Sequence, residues 1–217
     1  MSMPRPTVIL DESCAPLRDA VAVFAPVLVF KSARGFLSHP HLLVGELLDA
    51  LAATGVAPPY VFAAASFGGF AALEYAHRYP EMLAGLVLVD ASHPEQGPSA
   101  LAAIPDSEPP TPAVLAFKQH LLGFGPVWTE SCAAIAGIRG LGSMPLRVLA
   151  AGQPDMPAGL SAATRDALTC GWHALQRRHA ALSTRGDLRI VPGAGHDIVR
   201  QAPDAIVAAI RELVGNL

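Results

Sequence analysis

Residues 60–90 read YVFAAASFGGFAALEYAHRYPEMLAGLVLVD, and the succession of preferences along this stretch decides the fold. Tyr60 to Ala65 is a run of small and β-prone apolar residues, as in a strand buried on both faces. The chain then turns through Ala64-Ala65-Ser66-Phe67-Gly68-Gly69 and continues with helical periodicity to Tyr79. A second apolar run, Gly85 to Val89, ends in Asp90. A serine at a tight strand-to-helix turn has its hydroxyl lifted above the sheet edge. The amide of the next residue, Phe67, faces the same space at a helix N-terminus, where negative charge is favoured. Such a turn points to acyl transfer with Ser66 as nucleophile. The usual pattern is Gly-x-Ser-x-Gly; here Ala64 stands at the first position, a departure of one methyl group, and Gly68 at the second. Taken alone, the turn also fits a plain βα connection with Ser66 as helix N-cap.

A second signal lies near the C-terminus. Leu188 to Val191 reads as a short strand, Pro192-Gly193-Ala194-Gly195 as a turn cluster, and His196 follows directly. Ile206, Val207, Ile210, Leu213 and Val214 then recur at helical spacing. A histidine on a loop after a strand lies at the edge where open α/β sheets keep their active sites. The other histidines make weaker candidates. His39 and His41 flank Pro40 and are too few for a metal site, so no metal or cofactor is expected. His77, His173 and His179 fall in helical patterns and read as surface or half-buried. His93 and His120 lie in a long connection and read as solvated loop residues, with substrate contact as the alternative.

The remaining apolar runs complete an alternation. Strands are expected at Thr7 to Leu10, Pro26 to Lys31, Ala84 to Val89 and Leu146 to Ala150, and helices at Leu42 to Ala53, Gly69 to Arg78 and Ser161 to Leu182. The result is an α/β fold: an open, mostly parallel sheet of about six strands with helices on both faces. Residues 91–145 are too long for an ordinary turn and read as a small lid inserted in a single domain spanning 1–217. In it, Phe117, Leu121, Phe124 and Trp128 would line an apolar pocket, or pack the lid against the body.

Composition agrees with a globular domain. Of 217 residues, 52% are hydrophobic and 15% charged, which argues against disorder. The net charge of −3 is too near balance to suggest a nucleic-acid or membrane surface. The cysteines Cys14, Cys132 and Cys170 are odd in number and irregular in spacing, so reduced thiols in a cytoplasmic protein are expected. No signal-like N-terminus is visible, and the longest apolar stretch, Val21 to Phe30, falls short of the roughly 20 residues a membrane helix needs.

These motifs make the chain resemble the α/β-hydrolase superfamily, and most nearly its small bacterial esterase-like members. The family's Gly-His-Ser-x-Gly-Gly elbow is similar to Ala64–Gly69 with two substitutions. Its Leu-Val-Asp-Ala-Ser-His-Pro matches Leu88–Pro94, and its Pro-Gly-x-Gly-His matches Pro192–His196. A family helix carrying Trp, Leu-Gln and Leu-Ser matches Trp172, Leu175-Gln176 and Leu182-Ser183. The likeness runs from about Thr7 to Val214, with the motifs in the family's order. It departs at the start, where relatives carry a hairpin before the strand matching Thr7–Leu10. The sheet is therefore expected to be trimmed, and a homodimer covering the bare edge is one consequence.

The resemblance implies a serine hydrolase acting on a small-molecule acyl substrate, a small apolar ester, thioester or lactone, with His196 as base. Two residues are candidates for the acid. Asp90 ends the strand after the elbow helix; Asp155 follows the strand Leu146–Ala150, where most members of the superfamily carry the acid. The motif around Asp90 favours it slightly. The oxyanion hole would use the amide of Phe67 and a second from the loop after the first strand, Ser13 or Cys14. That loop, Asp11-Glu12-Ser13-Cys14-Ala15-Pro16, lacks the family's glycines. A catalytically impaired binding or interaction protein on the same fold is the alternative this departure suggests.

Overall fold

The computed structural model of the chain describes residues 5–35, 37–123 and 125–215. Six strands form one sheet: β1 (Thr7–Asp11), β2 (Val27–Phe30), β3 (Tyr60–Ala65), β4 (Leu83–Val89), β5 (Leu146–Ala151) and β6 (Gly186–Val191). Their spatial order is β2-β1-β3-β4-β5-β6, and every neighbouring pair is parallel. The chain first moves outward from β1 to β2, then returns past β1 to β3. The order therefore reverses between β1 and β3, the position at which open α/β sheets open a crevice for ligands.

Helices α1 (Arg18–Ala22), α2 (Pro40–Thr54) and α3 (Gly68–Arg78) connect the first four strands, with a 3₁₀ helix at Glu12–Leu17. Three further helices, α4 (Gln96–Ala103), α5 (Pro112–Leu122) and α6 (Gly125–Ile135), occupy the connection between β4 and β5. After β5 come α7 (Ala162–Ala180), then α8 (Ile198–Gln201) and α9 (Pro203–Gly215) following β6. Among the described residues, no helix is long and apolar enough to cross a membrane. The expected helix from 161 to 182 is α7, with Ser161 as its N-cap accepting from the Thr164 amide at 3.2 Å.

The period of two along the strands sorts their side chains into two cores. Ile9, Phe62, Leu86, Leu88 and Val148 pack against Val44, Leu47 and Leu51 of α2 and Phe70 and Leu73 of α3. Val8, Leu10, Val61, Val87 and Val89 face the other way, onto Leu17, Val21 and the α9 residues Ile206, Ile210 and Leu213. Every residue of β3 and β4 is buried, which is why these strands read as continuous apolar runs rather than alternating ones. A smaller cluster joins Ile104, Val114 and Leu121 to Leu160 and Leu168 of the α7 region. It ties the helices between β4 and β5 to the body.

The elbow helix comes unusually close to the segment after β4. A Cβ built on Gly69 would lie 2.7 Å from the Ala91 Cβ, nearer than such atoms approach. Gly69→Ala should therefore destabilise the protein by about 1–3 kcal/mol through overpacking, read as a lower urea midpoint. An unchanged midpoint would show that the two segments can part without cost.

Candidate active site

Ser66 sits at the carboxyl end of β3 with φ of 51°, in the left-handed region that non-glycine residues rarely adopt. Surrounding hydrogen bonds hold it there. Its amide donates to the Val89 carbonyl at 3.0 Å, and its carbonyl accepts from Gly69 at 3.1 Å and Ser92 at 3.0 Å. Asp90, at the end of β4, repeats the conformation with φ of 43° and donates its amide to Leu149 at 2.7 Å. Local backbone strain of this kind gathers where side chains must be aimed.

His196 bridges the two. Its Nε2 lies 3.0 Å from Ser66 Oγ, and its Nδ1 lies 2.7 Å from Asp90 Oδ2. A carboxylate only accepts, so Nδ1 carries the proton and Nε2 is the acceptor for the serine hydroxyl. The other Asp90 oxygen, Oδ1, accepts from the Ala151 amide at 2.8 Å and from Trp172 Nε1 at 2.7 Å. The Asp90 side chain is 3% exposed, the His196 side chain 48%. The hydrogen bond to Asp90 raises the His196 pKa above 6.5; burial opposes this, and the charges of Asp90, Asp155 and Asp197 add to it.

Asp155, the other candidate acid, makes no hydrogen bond or ion pair among the described residues. Its Oδ1 lies so close to Gly195 that a Cβ there would be 2.6 Å away. It stands beside the site and acts on His196 through its charge. Of the two aspartates expected from the sequence, the geometry brings Asp90 to His196.

The loop after β1 behaves differently from expectation. Asp11 N-caps the 3₁₀ helix, and its Oδ1 accepts from the Cys14 amide at 2.9 Å. That donor, one of those the sequence offers for an oxyanion, is engaged by Asp11. Ser13 is not among the described residues that wall the cavity at Ser66. The second Asp11 oxygen, Oδ2, accepts from the Ala65 amide at 3.1 Å, so one carboxylate ties this loop to the residue before Ser66. The Cys14 thiol is buried, and burial, reinforced by Asp11, pushes its pKa well up.

The cavity has a volume of about 580 Å³ and is walled by Ser66, His196 and a mostly apolar set that includes Phe117, Leu121, Val127, Trp128, Leu168 and Trp172. Phe117 and Leu121 also pack in the small cluster of the connecting helices, and Trp128 stands edge-on to Phe70 at 5.2 Å. Lining and packing are thus combined in the same side chains. Phe124 lies outside the described residues. Gln96, His120 and Asp155 add polar groups to the wall. Among the described residues, no group of side chains is arranged to hold a metal ion.

His93 and His179 depart from their expected exposure. Both are buried, with ring centroids 4.8 Å apart, and burial pushes them down to about 4 and about 3. Trp172 and Asp11 were not singled out by chemistry in the sequence. Their partners are 82 and 54 residues away, so no local spacing signals the contacts.

Comparison with known proteins agrees with this architecture. The model described as the alpha/beta hydrolase family matches residues 14–209. No curated protein matches the chain in sequence. A thermophilic esterase from Thermogutta terrifontis superposes with a TM-score of 0.56 at 17% identity, over 100% of this chain and 91% of its own. A hydrolase from Pseudomonas aeruginosa gives 0.54 at 17% identity, over 99% and 91%. A serine hydrolase involved in carbazole degradation gives 0.56 at 13% identity, over 98% and 92%. At these identities the likeness is one of fold.

Burial pushes Asp11 up from 3.8 to about 6, with the Cys14 and Ala65 amides only partly offsetting it. As pH falls through this range the folded protein takes up a proton before the unfolded chain does. The carboxylate therefore costs stability at neutral pH, and the cost disappears toward pH 4. The stability of Asp11→Asn relative to wild type should be about 2–3 kcal/mol more favourable at pH 7 than at pH 4. Urea unfolding at both pH values measures this; a difference independent of pH would contradict it.

Proposed function

The chain belongs to the alpha/beta hydrolase family, and on that premise we propose that it is a serine hydrolase cleaving a small apolar ester, thioester or lactone. The observation that carries this reading is the hydrogen-bonded chain from Ser66 through His196 to Asp90 at the wall of an apolar cavity. The carbazole-degrading relative, itself a serine hydrolase, lends support by fold.

In this reading, the Ser66 hydroxyl proton passes to His196 Nε2 as Oγ attacks the substrate carbonyl carbon. The imidazolium that forms is stabilised by Asp90. Negative charge on the former carbonyl oxygen falls near the Phe67 amide at the start of α3, where the helix end favours it. Collapse expels the alcohol or thiol, which takes its proton from His196. The same ring then removes a proton from water; the hydroxide attacks the acyl-enzyme and releases the acid, and Ser66 recovers its proton. α4, α5 and α6 would act as the lid over the acyl group.

The wall also sets a charge preference. Among the described residues that line it there is no Lys or Arg, and Asp155 contributes a carboxylate beside His196. Esters bearing a carboxylate should be turned over about tenfold less efficiently than neutral ones of equal size. The gap should narrow in high salt and in Asp155→Asn. An anionic ester accepted as well as a neutral one would contradict this.

A second reading, a binding protein without hydrolysis, is favoured by one observation: the Cys14 amide is bonded to Asp11 rather than free for an oxyanion. A fluorophosphonate probe separates the two. The hydrolase reading expects an adduct on Ser66, mapped by mass spectrometry and lost in Ser66→Ala and His196→Ala. Folded protein that gives no adduct would support the binding reading instead.

A further inference from the structure

The helix motif that carries Trp172 and Gln176 has no part in the proton transfers above, yet its contacts follow a rule. Residues 172, 176 and 179 are spaced i, i+4 and i+7, so they share one face of α7. Each bonds to one of three consecutive residues after β4, in order. Trp172 Nε1 donates to Asp90 Oδ1 at 2.7 Å, Gln176 Nε2 donates to the Ala91 carbonyl at 2.8 Å, and His179 Nε2 lies 3.1 Å from the Ser92 carbonyl. A carbonyl only accepts, so His179 carries its proton on Nε2. Gln176 and His179 are buried, and Trp172 is partly so.

The segment they grip needs holding. Asp90 has a left-handed backbone, and relaxing it would rotate the carboxylate away from His196. On its other side, Ala91 abuts Gly69, and the Ser92 amide donates to the Ser66 carbonyl at 3.0 Å. The segment is therefore clamped between the elbow and α7.

We propose that Trp172, Gln176 and His179 are positioning residues that act as one unit, fixing Asp90 against His196. This assignment rests on the serine hydrolase reading for its catalytic meaning. Trp172 has a further effect. Its N–H draws on the negative charge of Asp90, which weakens the pull of that carboxylate on the His196 proton. The charged groups facing His196 are Asp90, Asp155 and Asp197, and of these only Asp90 is bonded to Trp172.

The test uses Trp172→Phe, which keeps an aromatic ring and removes the donor, and Gln176→Met, which keeps length and apolar packing. The His196 pKa is read by NMR titration of its ring proton, and kcat and KM are measured on a neutral ester. Trp172→Phe should raise the His196 pKa by roughly half a unit to one unit and lower kcat about tenfold. Gln176→Met should lower kcat by a similar factor. A helix that merely packs would lower the melting temperature without moving the His196 titration. An unmoved His196 pKa in folded Trp172→Phe overturns the assignment, as does kcat within twofold of wild type in both variants. Should the wild type hydrolyse no ester, the hydrolase reading fails, while the titration still decides whether Trp172 governs His196.

Discussion

A carboxylate removed from water persists only if its oxygens are met by donors, and Asp90, 2% exposed, depends on three of them. Ala151 comes from the end of β5, Trp172 from α7 and His196 from the loop after β6. None of the three is close in sequence. The buried charge is satisfied only when three separate parts of the fold have docked, and their docking places His196 within reach of Ser66. Removing one partner of a buried hydrogen-bonded charge is far more costly than the net worth of making it. Asp90 thus belongs to the architecture of the sheet edge, whatever chemistry is run there.

Asp11 is a counterpart on the opposite side of Ser66. It too is buried, and it too is met by backbone amides, those of Cys14 and Ala65. Asp11 ends β1, Asp90 follows β4, and Ser66 follows β3 between them. Their energetics differ. Asp90 has the His196 imidazole as a partner, a group able to become a cation. Asp11 is met by neutral groups, the Cys14 and Ala65 amides and the Cys14 thiol, and burial raises its pKa to about 6. The loop that supplies glycine-rich backbone in relatives is here a 3₁₀ helix fastened by this carboxylate.

Much of this was legible in the sequence because the signals are local. Buried parallel strands show as unbroken apolar runs, and Tyr60–Ala65 and Leu83–Val89 are such runs. The turns at Ser66 and His196 are marked by small residues and glycines within a few positions. The choice between Asp90 and Asp155 was not legible to the same degree, since both follow core strands. It depends on a backbone angle at Asp90 and on donors contributed from elsewhere in the fold. The burial of His93 and His179 was hidden for a similar reason: their rings meet at 4.8 Å although the two residues are far apart in sequence. The Cys14 amide looked available, although Asp is a favoured N-cap and its side chain reaches the amide three residues on.

Asp90, and not Asp155, is proposed as the carboxylate behind His196, and steady-state turnover of one neutral ester by Asp90→Asn and Asp155→Asn tests this. Asp90→Asn should lower kcat by about three to four orders of magnitude, by the behaviour of such triads, and Asp155→Asn by less than about tenfold, since it removes an unbonded charge. The reverse order, or an equal mild loss from both, would contradict it.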